Sequence, residues 1–227
     1  METGSSIARV AALVGDPARA NMLSALTDGR ALTASELAYF AGVTPQTASS
    51  HLSKLTEAGL LAQQRQGRHH YYRLASPLVG RMLESLMVVA DPAPLQPRWR
   101  GGQALRTART CYDHLAGRLA VGIADGLVER GHVVLAEDGG EVTAAGLAHL
   151  AEFGIDLGGA SMRRRPFVRP CLDWSERRPH LAGAIGAALA SRAFELGWIE
   201  RIKDSRAVAI TAAGTRGFLD VFGVRPT

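Results

Sequence analysis

Leu37, Ala38 and Ala41 recur at helical spacing, Gly42 interrupts them, and Ala48, Leu52 and Leu55 resume the stripe. This pattern predicts two short helices joined by a tight turn, with Gly42 supplying the backbone freedom the turn requires. Thr44 reads as the N-cap of the second helix and Pro45 as its first residue, where a missing amide donor costs nothing. The helix should end near Gly59. With its apolar stripe buried, Gln46, Thr47, Ser50, His51 and Lys54 stand on the opposite, polar side. Beyond it, LLAQQRQGRHHYYRLA reads as two strands about a turn at Gln66 and Gly67. Residues 7–90 thus read as helix, helix, helix-turn-helix, two-stranded ribbon and helix.

The proline- and glycine-rich stretch DPAPLQPRWRGGQ then denies helix continuation, making residues 91–103 a linker. After it the chain repeats itself. Cys111-Tyr112-Asp113-His114-Leu115-Ala116-Gly117 is answered by Cys171-Leu172-Asp173 and, past the insertion WSERRP, by His180-Leu181-Ala182-Gly183. GLVER is answered by GWIER, VTAAG by ITAAG, and FGI by FGV, all in the same order. Each copy reads as a long amphipathic helix, a ribbon with a polar turn, and a short helix capped by Thr143 or Thr211, with Pro179 starting the second long helix. The expected fold is mainly α with small β-hairpins (α+β). Residues 1–90 are expected to form one domain, a helix-turn-helix with the ribbon as its wing. Residues 104–227 form a sensor domain of two pseudo-repeated helix-ribbon-helix units.

Composition narrows the function classes. At 47% hydrophobic and 21% charged over 227 residues, the chain can bury a sizeable core. No run approaches the roughly 18 apolar residues of a membrane span, and the amino terminus carries no secretory signal, so a cytoplasmic location is expected. The net charge of +5 favours a polyanionic partner only weakly. Its placement says more, because residues 44–75 carry Lys54, Arg65, Arg68 and Arg73 against Glu57 alone. No glycine-rich phosphate loop or compact catalytic constellation is present, so no enzyme activity is expected.

The polar helix side is free of acids, and such side chains approach base edges closely. Gln46 can donate and accept at adenine, while Thr47 and Ser50 suit phosphate or base. Arg65, Arg68, His69 and His70 crowd the ribbon tip beside Tyr71 and Tyr72, a composition suited to clamping phosphate or entering a minor groove. The competing reading makes the helix pair a protein-packing module and the ribbon a solvated hairpin. A cationic ribbon directly downstream of a polar helix favours double-stranded DNA as the partner.

The segment TASELAYFAGVTPQTASSHLSKLTEAGLLAQQRQGRHHYYRL resembles the ArsR/SmtB family of bacterial winged-helix repressors, with the likeness confined to about residues 7–90. The resemblance implies a homodimer joined through the first and last helices of that stretch, residues 7–14 and 77–90; replacing Leu83 and Leu86 by charge is expected to give monomers. It implies a twofold, palindromic DNA site held until a ligand loosens the complex, and so a ligand-responsive repressor. It places Gln46, Thr47, Ser50 and His51 toward the major groove and Arg65 and Arg68 in the wing; the expected DNA-binding set also includes Thr44, Lys54, His69 and Tyr71, on the residue pattern rather than the resemblance. The chain departs from the metal-sensing members: SELAYFAGV has no thiol and RMLESLMVVAD no histidine. An effector must therefore act elsewhere.

The repeats offer one place. Cys111 and His114 would share a helix face, Cys171 and His180 are their counterparts, and a pseudo-twofold would bring two thiols and two imidazoles together. Such a set suits a thiophilic metal ion or a redox-sensitive dithiol. The plainer reading packs the cysteines as small hydrophobes, with Asp113 and Asp173 as caps, and requires no cofactor. A thiol-dependent enzyme and a protein-interaction scaffold are the alternatives in other classes. Trp174 is expected as a core anchor or a pocket wall, Trp99 and Trp198 as anchors, the basic run 162–166 as a connector, and His132 and His149 at the surface.

Overall fold

The computed structural model describes residues 2–66, 69–90, 102–155 and 167–226. The expectations for Gly67 and Arg68, for residues 91–101 with Trp99, for the run 162–166 and for the side chain of His69 lie outside the described residues. The chain divides into two compact units, Met1–Arg100 and Gly101–Thr227. Among the described residues no helix is long and apolar enough to cross a membrane.

The first unit runs α1 (Glu2–Val14), α2 (Pro17–Leu26), β1 (Leu32–Thr33), α3 (Ala34–Ala41), α4 (Pro45–Glu57), β2 (Leu61–Gln66), β3 (His69–Leu74) and α5 (Pro77–Val89). Local chemistry sets nearly every boundary. Asp16, Thr33, Thr44 and Ser76 each accept a hydrogen bond from a backbone amide three residues on, and proline follows at the start of α2, α4 and α5. Thr33 and Glu36 close a reciprocal capping box. Gly42, at φ 69°, ends α3 in the left-handed region. Met22, Leu23, Leu26, Leu37, Leu52, Leu55, Leu61 and Leu83 fill the core between these helices and the sheet. That sheet has three strands in the order β1-β3-β2, because the two-residue β1 adds Leu32 and Thr33 opposite Tyr72 and Tyr71. A two-residue strand carries no periodicity, and the sequence pattern had predicted only the ribbon.

In the second unit each long helix is preceded by a hairpin as well as followed by one. After α6 (Gly102–Thr107) come β4 (Arg109–Cys111), β5 (His114–Ala116), α7 (Arg118–Glu129), β6 (Val133–Ala136), β7 (Gly139–Val142) and α8 (Ala144–Glu152). Then follow β8 (Arg169–Leu172), β9 (Pro179–Ala182), α9 (Gly183–Glu195), β10 (Ile199–Arg201), β11 (Val208–Ile210) and α10 (Ala212–Phe222). Three expectations are corrected here. Cys111 and His114 lie on a hairpin rather than a helix, paired across the turn Tyr112-Asp113 in which Tyr112 takes φ 64°. Pro179 opens β9, and α9 starts only at Gly183. Gly102 and Gln103, placed in the linker by composition, begin α6, which is anchored by the fully buried Leu105.

The second helix of each half is held identically. Thr143 caps α8, and its hydroxyl donates to Gly131 O at 2.7 Å; Thr211 caps α10 and donates to Gly197 O at 2.8 Å. The two halves also pack crosswise, α7 against β9 and α9 against β5, with β5 beside β9. One core, including Leu119, Ile123, Leu127, Leu150, Ile185, Leu189, Phe218 and Phe222, serves both halves.

Candidate functional site

In the first unit α4 has two chemically distinct faces. Ala48, Leu52 and Leu55 are fully buried, whereas Gln46, Thr47, Ser50 and Lys54 are exposed. The arrangement follows from the stripe itself, since apolar side chains on one side of a helix leave the other side to water. Thr44 is committed to the cap, with its hydroxyl 3.2 Å from the Thr47 amide and 2.9 Å from the Thr47 hydroxyl. Glu57 accepts from Ser53 at 2.8 Å at the far end of the helix, so the exposed face from Gln46 to Lys54 stays free of carboxylates.

His51 departs from its sequence-based expectation. It is half-buried, with Nδ1 3.3 Å from Arg19 Nη1. Arg19 also donates to Leu13 O and Ala12 O and approaches Asp16, tying the end of α1 and the start of α2 to α4. Sequence reading missed Arg19, which lies 32 residues from its partner and carries no local signal.

On the hairpin Arg65 is exposed and lies opposite His70 in the β2–β3 register. Gln63 Nε2 contacts His70 Nδ1 at 2.6 Å and donates to Tyr72 Oη at 3.4 Å, stiffening the ribbon toward its tip. Tyr71 is half-buried between Thr33 and Gln64, as the middle strand of a three-stranded sheet requires.

The second unit brings together the four thiol and imidazole residues that sequence singled out. Cys111 pairs with His114 across β4–β5, and Cys171 with His180 across β8–β9. One ligand atom from each of the four lies within 4.8 Å of all the others. Both cysteines are thiols, Cys111 buried and Cys171 half-buried. The two Nε2 atoms are 3.1 Å apart. Gly186 on α9 makes room, since a side chain there would strike Leu181 O and crowd His114 Cβ.

Beneath this cluster lies an ion pair that sequence reading did not find. Arg109, 1% exposed, donates to Asp173, 0% exposed, at 2.9 Å, and its guanidinium lies 4.7 Å from the centre of the buried Trp174 ring. Asp173 also accepts from the Gly117 amide at 2.7 Å and from the Ser175 amide and hydroxyl at 2.9 and 2.7 Å. Burial pushes its carboxyl up, but Arg109, Gly117, Ser175 and His180 outweigh that, and it sits at about 2. Asp173 thus does more than the turn cap read from sequence. Its Oδ2 lies 3.5 Å from His180 Nδ1, within electrostatic reach but without hydrogen-bond geometry. His132 and His149 are half-buried and stacked with ring centres 4.5 Å apart, which corrects their assignment to the surface.

A helix-turn-helix domain family matches residues 14–64. The uncharacterized HTH-type transcriptional regulator YdfF of Bacillus subtilis is 43% identical over 215 residues, covering 94% of this chain and 95% of that protein. The HTH-type transcriptional regulator CmtR of Mycobacterium bovis is 36% identical over 85 residues, covering 37% of this chain and 71% of its own length. Among solved structures, a homodimeric winged helix-turn-helix DNA-binding domain from Mycobacterium bovis, described as a possible ArsR-family regulator, is 32% identical over 38% of this chain and 80% of its own, with a TM-score of 0.36. The likeness to one helix-turn-helix regulator over nearly the whole length of both proteins, together with the capped α3–α4 pair, places this chain among the HTH-type transcriptional regulators.

Proposed function

We propose that the chain is a sequence-specific DNA-binding regulator that acts as a homodimer on a palindromic operator and releases it in response to a ligand of the second unit. The observation that carries this reading is the exposed polar face of α4, with Gln46, Thr47, Ser50 and Lys54 aligned opposite a fully buried stripe. In a major groove, Gln46 supplies paired donor and acceptor atoms to a base edge, Thr47 and Ser50 reach base or phosphate, and Lys54 adds charge. Arg65 on the hairpin contacts the backbone or the adjacent minor groove. His51 acts through Arg19 as a brace for α4 as well as at the groove.

Dimerisation through α1 and α5 is supported by the exposed apolar residues Ile7, Leu78, Leu86 and Val89 on those two helices. Leu83, which sequence had placed with Leu86 at the joint, is 4% exposed and belongs to the core. The two halves of the second unit are read as pseudo-equivalent repeats, on the strength of their matched caps and crosswise packing.

Selection of bound duplexes from random or genomic fragments tests the reading. The selected sites should be inverted repeats, and the logarithm of affinity should fall linearly with that of salt in proportion to the phosphates contacted. Recovery of no duplex at modest ionic strength would refute it.

A further inference from the structure

We infer that Cys111, His114, Cys171 and His180 form a binding site for a single thiophilic, tetrahedral dication of the zinc class, clamped between the two halves of the second unit. The donor set is two sulfurs and two imidazole nitrogens, the combination that selects such ions over magnesium or calcium. Tetrahedral geometry with Zn–N bonds of about 2.0–2.1 Å separates two nitrogen ligands by about 3.3 Å. The two Nε2 atoms stand 3.1 Å apart, and all four ligand atoms fall within 4.8 Å of one another.

The carboxylates beside the two rings favour the same conclusion, one through a hydrogen bond and one through charge alone. His114 Nδ1 lies 3.3 Å from Asp113 Oδ1, and His180 Nδ1 lies 3.5 Å from Asp173 Oδ2. A carboxylate beside Nδ1 draws the ring proton to that nitrogen and turns the lone pair of Nε2 outward, the orientation that metal-bound histidines adopt. The two Nε2 atoms face each other at 3.1 Å, a spacing that one cation bridges by taking the lone pair of each ring in place of the hydrogen bond between them.

Charge also balances. On binding, each thiol releases its proton to solvent, and two thiolates cancel the dication, so the buried site carries no net charge. The negative charge of Asp173 is already met by Arg109. Cys111 and His114 come from one half and Cys171 and His180 from the other, so the ion cross-links segments far apart in the chain.

The test uses the full-length chain, reduced and stripped with a chelator, then titrated with Co(II) and afterwards with Zn(II). A sulfur-to-cobalt charge-transfer band should grow to saturation at one ion per chain and disappear on zinc addition. The Cys171→Ser and Cys111→Ser variants should each lose affinity by more than the roughly 10–100-fold that follows removal of an outer hydrogen-bonding partner. Absence of the band in wild-type chain whose two thiols still titrate as reduced would overturn the site, as would an unchanged band in both variants.

That the ion is the effector rests on the DNA-binding reading given above. Zinc-induced release of a selected duplex by wild type but not by Cys171→Ser would support the effector role, and zinc bound with unchanged duplex affinity would overturn it. Failure to bind any duplex, with or without zinc, would overturn the DNA-binding reading alone, because the cobalt band is measured without DNA.

Discussion

Thr44 shows how much a single side chain settles locally. Its hydroxyl accepts from the Thr47 amide, so Thr44→Ala should destabilise the first unit by about 1 kcal/mol, measurable by urea unfolding. Capping is a short-range property, which is why Thr44, Thr143 and Thr211 were all legible in the sequence. Arg109 was not, because its meaning lies in a carboxylate 64 residues away. Asp173 gives the protein a defined acid response. Its folded-state value of about 2 lies below the ordinary 3.8, so its ionised form stabilises the fold by about 2 kcal/mol. This contribution is complete above about pH 4 and is lost as pH falls toward 2, where the folded carboxyl also takes up its proton. In chelator-treated protein, stability should therefore decline across that window in wild type, and the decline should be reduced in Asp173→Asn.

At the scale of elements, the long helices and the ribbons β2–β3, β6–β7 and β10–β11 were readable, whereas α6 and the hairpins β4–β5 and β8–β9 were not. The α3–α4 pair announces itself through stripe, glycine, cap and proline, whereas β4, β5, β8 and β9, three or four residues long and without a period of their own, merge with the amphipathic pattern of the long helices that follow them. The β4–β5 turn adopts a positive φ at Tyr112, a residue type that does not advertise such a turn, so Cys111 and His114 read as helical. Two elements yield direct tests. On α5, Leu86 is 46% exposed and Leu83 is buried, so Leu86→Glu should give a folded monomer by light scattering, while Leu83→Glu should unfold the unit. On α8 and α10, a methyl group at Gly146 or Gly214 would run into the carbonyl of His132 or Trp198. Gly146→Ala and Gly214→Ala should each cost about 1–3 kcal/mol, in similar measure, as overpacking at equivalent places would.

At the scale of the whole molecule, the described residues form a core in each unit, one assembled from α1–α5 and the sheet, the other from the hairpins and helices after Gly101. Damage to one core should remain confined to its unit. Asp173→Ala leaves Arg109 buried without its charge partner and should cost about 3–5 kcal/mol. By hydrogen exchange, amides of α7 and α9 should lose protection while those of α2 and α4 keep theirs. The central claim is that the polar face of α4 reads base edges while the hairpin holds the backbone. Its most direct measurement is the affinity of wild type, Gln46→Ala and Arg65→Ala for a selected operator and for its single-base variants, each over a range of salt. Gln46→Ala should erase about 1–3 kcal/mol of discrimination at one or two base pairs, and Arg65→Ala should weaken every duplex alike with a salt slope shallower by about one. Equal losses on every sequence from both substitutions, with all base preferences intact, would contradict it.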